Sequence, residues 1–285
     1  MMDSIQLVEC PRDAMQGWKT IIPASEKIRY LNALLRVGFH TLDFGSFVSP
    51  KLIPQMADTA EVLSGLNIHG TTTRLLAIVA NTRGAEEAAR HSAITYLGFP
   101  FSISPTFQKR NANSSLEESL MRVKEISSIC NLTGKEPVVY MSMGFGNPYG
   151  DEFSMDLLQH WMENIASAGV KIISIADTVG LASVELVREA VGRMIPLFPG
   201  ITIGVHLHST AENLVPKMEA AFLSGCRRFD GAINGIGGCP MADDELVGNM
   251  DTLKMVSYFR EKGYCRELDL QALEECRIIA TGIFT

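Results

Sequence analysis

The sequence predicts an α/β fold, a (β/α)8 TIM barrel of eight parallel strands with an additional C-terminal helix. Three observations lead there. Eight short, nearly continuous apolar runs alternate with segments of helical periodicity, the pattern of strands that helices cover from outside. The connections between them are short. No linker, low-complexity tract or shift in composition divides the 285 residues, so a single domain, 1–285, is expected. A doubly wound open sheet is the competing topology, but it normally carries a glycine-rich turn after its first strand, and here that turn is Pro11-Arg12-Asp13.

The first strand, Ile5 to Glu9, ends where Pro11 removes a ladder donor. From Ser25, an N-cap residue type, Ile28, Leu31, Leu34 and Leu35 recur at helical spacing until Gly38 stops the helix. His40 to Phe44 is the second strand and Gly45 to Pro50 its loop. Met56 to Leu66 reads as a helix, Arg74 to Ala80 as a strand, Arg83 to His91 as a helix and Ile94 to Phe99 as the fourth strand. The stretch Ser104 to Ser114 is polar, contains Lys109-Arg110-Asn111 and is assigned neither helix nor strand. It leads into Ser115-Leu116-Glu117-Glu118, a capping-box pattern opening a helix to about Asn131. Val138 to Met143 is the fifth strand, and Ser154 opens a helix that Gly169 ends. Lys171 to Ala176, Thr202 to His208 and Arg228 to Ile233 are the last three strands, with helices at Ser183 to Leu197, Glu212 to Leu223 and around Asn249 to Lys262. A final helix starts at Leu270.

The hydrophobic fraction of 46% with 20% charged residues is that of a globular chain with ample core material. A net charge of -7 without a Lys/Arg cluster argues against nucleic-acid binding. No apolar stretch approaches the roughly 20 residues that span a bilayer. Six cysteines lack CxxC spacing and no apolar signal core opens the chain, so a reducing, cytoplasmic setting is expected. The fourteen methionines read as core filler, and His40, His69, His91 and His160 receive no chemistry.

In such barrels the reactive groups stand at the C-terminal ends of the strands. This reading places Arg12 and Asp13 after the first strand, Asp43 near the end of the second and Asp177 after the sixth. His206 and His208 end the seventh, and Cys239 and Asn249 follow the eighth. Residues one apart on a strand project from the same face, so the two imidazoles can grip one ion. With Asp13 and Asn249 they form a mixed donor set without thiolate, suited to a divalent ion that keeps open positions. Manganese and magnesium fit the oxygens and zinc fits the imidazoles. Beside such an ion, Arg12 can stabilise an oxyanion, and Cys239, behind three loop glycines, can close over substrate and move a proton. Asp43 and Asp177 can orient Arg12 or the imidazoles.

Pro11-Arg12-Asp13-Ala14-Met15-Gln16, Ser46-Phe47-Val48-Ser49-Pro50-Lys51, Asp177-Thr178-Val179-Gly180, Val205-His206-Leu207-His208 and Gly237-Gly238-Cys239-Pro240 with Gly248-Asn249 stand in this order. Together they resemble the 3-hydroxy-3-methylglutaryl-coenzyme A lyase family. The resemblance implies a divalent ion, magnesium or manganese, on Asp13, His206, His208 and Asn249. It implies C2–C3 cleavage of a 3-hydroxy acyl thioester, with His206 as base, Arg12 stabilising the enolate and Cys239 protonating it. Asp43 joins that catalytic group, and Gln16, Asp177, Asn111, Gly237 and Gly238 fall where they would support the ligands from behind or contact the substrate. The implied partner is an acyl-coenzyme A or hydroxy-acid substrate, in a homodimer or other homo-oligomer.

The sequence departs from the family at Ala14 for glycine, Asp43 for glutamate, Ser209 for aspartate, and Asp251-Thr252-Leu253 for Ala-Thr-Glu. No Asn-Arg-Lys segment like the family's coenzyme A contact precedes Thr285. A relative that splits or condenses a different hydroxy acid is therefore the second reading. A metal-binding barrel without catalysis is the third, and joint retention of Arg12, the ligand set and Cys239 speaks against it.

Overall fold

The computed structural model describes residues 4–237 and 247–285. Eight parallel strands close in sequence order, β1 (Gln6–Glu9), β2 (Thr41–Ser46), β3 (Arg74–Ile78), β4 (Ile94–Ser102), β5 (Glu136–Ser142), β6 (Ile172–Ala176), β7 (Thr202–His206) and β8 (Arg228–Gly231), with β8 back against β1. The helices are α1 (Pro11–Gln16), α2 (Ala24–Val37), α3 (Thr59–Ser64), α4 (Thr82–Ala89), α5 (Pro105–Ala112), α6 (Leu116–Thr133), α7 (Met155–Ser167), α8 (Val184–Leu197), α9 (Leu214–Leu223), α10 (Thr252–Glu261) and the additional α11 (Leu270–Ile283). This is the expected barrel. Among the described residues no helix is long and apolar enough to cross a membrane.

Local chemistry fixes most boundaries. Gly38 and Gly134 end α2 and α6 in the left-handed conformation. Ser115 and Glu118 form the reciprocal capping box that opens α6. Ser154 and Ser183 cap α7 and α8. The main core lies between strands and helices, while Leu76, Tyr96, Val138 and Ile172 fill the barrel itself.

Four local expectations are corrected. The stretch Ser104 to Ser114 is mostly helical, because the Ser104 hydroxyl accepts from Phe107 N and Pro105 occupies the first turn, where its missing N–H costs nothing. Strand β2 runs on through Gly45 and Ser46, pairing with Ala77 and Ile78. The Met56 to Leu66 helix is shorter, with a 3-10 turn at Pro54–Met56 ahead of α3. Strand β7 ends at His206, and His208 lies beyond it in an antiparallel bridge with Asn249.

Candidate active site

The short helix α1 is the first positioning element. It follows β1 directly, so Arg12 and Asp13 enter the barrel mouth on a fixed turn, both buried. Arg12 Nε donates to both oxygens of Asp43, at 3.2 and 3.1 Å, and Nη2 donates to Asp43 Oδ2 at 2.6 Å. Arg12 Nη1 reaches Asp13 Oδ1 at 3.1 Å. This fork holds the guanidinium plane between two strand ends. Burial works against its charge, but Asp43 and Asp13 more than compensate and hold it ionised. Burial lifts the Asp43 carboxyl to about 6 even against the attraction of Arg12.

Asp13 is held from three sides. Besides Arg12, Gln16 Nε2 donates to Oδ1 at 2.9 Å and Asn249 Nδ2 donates to Oδ2 at 2.8 Å. Burial raises its pKa, yet Arg12, His206 and the Asn249 bond bring it below the usual value. Asn249 also donates to Ile236 O at 3.0 Å, which turns its Oδ1 the other way. That oxygen is buried and has no partner among the described residues. Gly237, at φ +107°, lets the loop cross here, since a Cβ would stand 2.5 Å from Asn249 Nδ2.

Donor atoms of Asp13, His206 and His208 lie within 4.8 Å of one another. The rings of His206 and His208 are 5.5 Å apart, so both imidazoles meet the site although only one belongs to the strand. His208 is buried, and that burial together with His206 lowers its pKa to about 4, leaving a neutral imidazole. Burial alone would lower His206 too, but the bond and charge of Asp230 and the charge of Asp13 raise it above the ordinary histidine value. A deprotonated carboxylate, imidazoles and an orphaned amide oxygen fit a divalent ion.

These groups open onto a cavity of about 190 Å³. One side carries Arg12, Asp13, Gln16 and the two histidines. The other is largely apolar, with Val48, Ile53, Ile78, Pro100 and Phe107. Asn111 reaches this wall from α5, and Arg110 of the same helix stacks over the Tyr149 ring at 4.7 Å. Asp177 does not touch the cavity. Its Oδ2 accepts from buried Lys217 Nζ at 3.1 Å and its Oδ1 from Ala182 N at 3.1 Å. Cys239 and Gly238 lie outside the described residues.

Three residues that sequence reasoning passed over stand here. Lys217 Nζ also donates to His208 O at 2.8 Å, fixing the turn that carries that imidazole. A signal existed, because Lys217 shares the apolar stripe of Leu214, Met218 and Ala221 on α9. Asp230 is an acid inside an apolar strand, in register with His206. Tyr140 lines the cavity with its hydroxyl unpartnered, and nothing in its strand pattern distinguishes it from core.

The HMGL-like family model matches residues 5–279. The cytoplasmic 3-hydroxy-3-methylglutaryl-CoA lyase of Rattus norvegicus is 31% identical over 95% of this chain and 78% of its own. The solved HMG-CoA lyase of Brucella melitensis superposes with a TM-score of 0.91 at 28% identity, covering 99% of both chains. An HMG-CoA lyase from Acinetobacter baumannii, solved in complex with coenzyme A and 3-methylmalate, gives 0.90 at 29% identity over 99% of this chain and 91% of that one. The chain thus belongs to the HMGL-like family and is a carbon-carbon lyase.

Proposed function

We propose that the chain, as one catalytic domain over 1–285, is a divalent-metal-dependent lyase that cleaves 3-hydroxy-3-methylglutaryl-CoA, or a closely related 3-hydroxy acyl thioester. The observation that carries this reading is the donor cluster of Asp13, His206 and His208, with the Asn249 amide held against Asp13 and its buried Oδ1 without a hydrogen-bond partner among the described residues. A buried amide oxygen without a partner is costly, and turning the amide over to present that oxygen to an ion beside Asp13 removes the cost. Magnesium or manganese suits the oxygen donors, with zinc admitted by the imidazoles.

When bound, such an ion supplies Lewis-acid polarisation of the substrate's oxygens. The chain's own residues do the rest. The C3 hydroxyl proton passes to a base at the ligand set, for which His206 is the candidate, and Asp230 at its Nδ1 stabilises the imidazolium formed. The C2–C3 bond breaks, C3 becomes a ketone, and its electron pair is left on C2 as a thioester enolate. Arg12 retains N–H groups beyond its bonds to Asp43 and Asp13 with which to hold the enolate oxygen. Protonation at C2 by Cys239 on the β8 loop completes acetoacetate and the acetyl thioester. With Nδ1 on Asp230, His206 has one lone pair, at Nε2, so a ligand role and a base role make opposite predictions for His206→Gln. Kept metal affinity with lost turnover identifies the base; loss of both identifies the ligand.

Coenzyme A is the expected thioester carrier, by analogy with the Acinetobacter baumannii complex, and Asn111 with Lys109 and Arg110 on α5 is the segment proposed to meet it. Release of acetoacetate from 3-hydroxy-3-methylglutaryl-CoA with added manganese tests the proposal. Turnover of other hydroxy acids with none of this thioester favours a second reading, a relative acting on a different, more apolar 3-hydroxy acid. The apolar wall of Val48, Ile53, Ile78, Pro100 and Phe107 is its support. A homo-oligomer and a cytoplasmic setting remain part of the proposal; light scattering tests the first.

A further inference from the structure

Beneath the rim, on the inner side of His206, lies a second group of donors. Cys10 at the end of β1, His206 at the end of β7 and Asp230 in β8 place one donor atom each within 4.8 Å of one another. The three are brought together by closure of the barrel, since β8 pairs with both β1 and β7 and His206 stands in register with Asp230. Cys10 and Asp230 are each about 1% exposed.

The contacts within this group are long. His206 Nδ1 and Asp230 Oδ2 make a stretched hydrogen bond at 3.4 Å. Among the described residues Asp230 Oδ1 is buried without a partner, and Ser174 Oγ reaches Oδ2 only at 3.5 Å. Cys10 Sγ has a single weak contact, to Val8 O at 3.8 Å. The same spacing suits coordination. With Zn–N and Zn–O bonds near 2.0–2.1 Å, a tetrahedral ion sets its N and O ligands about 3.3 Å apart.

We propose that Cys10, His206 Nδ1 and Asp230 form an inner site for one thiophilic divalent cation of the zinc and cadmium class, distinct from the oxygen-rich outer site, and that its occupation is inhibitory. Thiolate, imidazole and carboxylate are the ligand chemistry of such ions. The charges balance, two anionic ligands against one dication. As a free thiol Cys10 stays protonated, because burial and the carboxylates around it push it far up, so ion binding releases that proton to solvent. The ring proton of His206 moves from Nδ1 to Nε2 as Nδ1 takes the ion. Nε2 then becomes a donor, with no lone pair for the outer site. The inner ion therefore weakens outer binding, and the outer ion weakens inner binding by the same factor.

The inner site stands on its own geometry, whatever the substrate. The test titrates metal-free protein with cadmium and follows the thiolate-to-cadmium charge-transfer absorption, then measures manganese affinity by paramagnetic resonance. We expect a band that saturates at one equivalent in wild type, disappears in Cys10→Ala and in the size-matched Cys10→Ser, and weakens in Asp230→Asn. One equivalent of cadmium lowers manganese affinity about tenfold or more in wild type and not in Cys10→Ala, whose manganese affinity without cadmium equals that of wild type. The remaining cysteines, present in both Cys10 variants, control for adventitious thiolate binding. A band that persists in Cys10→Ala and Cys10→Ser, no band in wild type, or an equal loss of manganese affinity in Cys10→Ala overturns the inner site. Failure of manganese to bind any of these proteins, with the cadmium band intact, sinks the outer-site reading and leaves the inner one standing.

Discussion

The rim of the barrel and the interior just below it are both buried and charged, yet they are built in opposite ways. At the rim, the buried charges of the described residues are directly paired: Arg12 with Asp43 and Asp13, Lys217 with Asp177. Below it, among the described residues, the three guanidinium nitrogens of Arg228 have no hydrogen-bond partner, nor do Asp230 Oδ1 and the Tyr140 hydroxyl. Arg228 lies over the Tyr96 ring at 5.9 Å, its stem passing above Gly204, where a Cβ would stand 3.0 Å away. A paired buried charge is preorganised and rigid, whereas an unpaired one keeps its capacity for a ligand or solvent. The rim is thus set for a reaction, and the interior is set to receive something.

The sharpest break in that comparison is Arg12→Met. It removes the only guanidinium of the rim fork and should lower turnover about 10³-fold with fold retained, as read by steady-state kinetics and circular dichroism. If turnover falls less than tenfold, the fork is architecture alone. Lys217→Met comes next. It leaves Asp177 buried without its cation, at a cost of about 3–5 kcal/mol in chemical denaturation, and frees the His208 carbonyl, so manganese affinity should drop about 10–100-fold. A stability loss with unchanged affinity would confine Lys217 to the scaffold.

Glu9 supplies a pH test. It is fully buried behind β8, accepting from Ile233 N at 3.0 Å and from the Thr252 hydroxyl, and burial raises its pKa from 4.5 to about 8. The folded state therefore holds this proton more tightly than the unfolded chain. Its contribution to stability is complete below about 4.5 and is lost as pH rises through about 8. Melting temperature should fall over that window in wild type and flatten in Glu9→Gln. The smallest effect is expected from Arg228→Met. No direct bond is broken, so stability should change by less than about 1 kcal/mol, against the several lost at Lys217. A loss as large as that at Lys217 would mean that Arg228 is the counter-charge of Asp230 and erase the distinction between the two layers.

Much of this was legible in the chain. Alternation of apolar runs with helical stripes gave eight strands in order, and turn residues such as Pro11, Gly38 and Ser115 placed their ends to within a few residues. Because a barrel gathers strand ends on one rim, the order of the elements already groups Arg12, Asp13, Asp43, His206, His208 and Asn249. The segment carrying Asn111 misled, since its polar composition hides a helix that Ser104 and Pro105 nucleate. Lys217 was visible as a lysine on an apolar stripe. Tyr140 was not, because a tyrosine in a buried strand has the same pattern whether or not its hydroxyl has a partner.

Sequence by itself determined the element order, the parallel closure and the set of side chains at the rim, because periodicity and turn chemistry are local properties. Tertiary structure alone decided how those side chains divide their bonds. Asn249 meets Asp13 across 236 positions through its amide nitrogen, which leaves the amide oxygen without a partner among the described residues. The register of β7 on β8 sets His206 beside Asp230, and closure of β8 on β1 brings Cys10 to the same point. Which nitrogen of which ring faces which partner depends on distances between strands remote in the chain, and no local pattern encodes them.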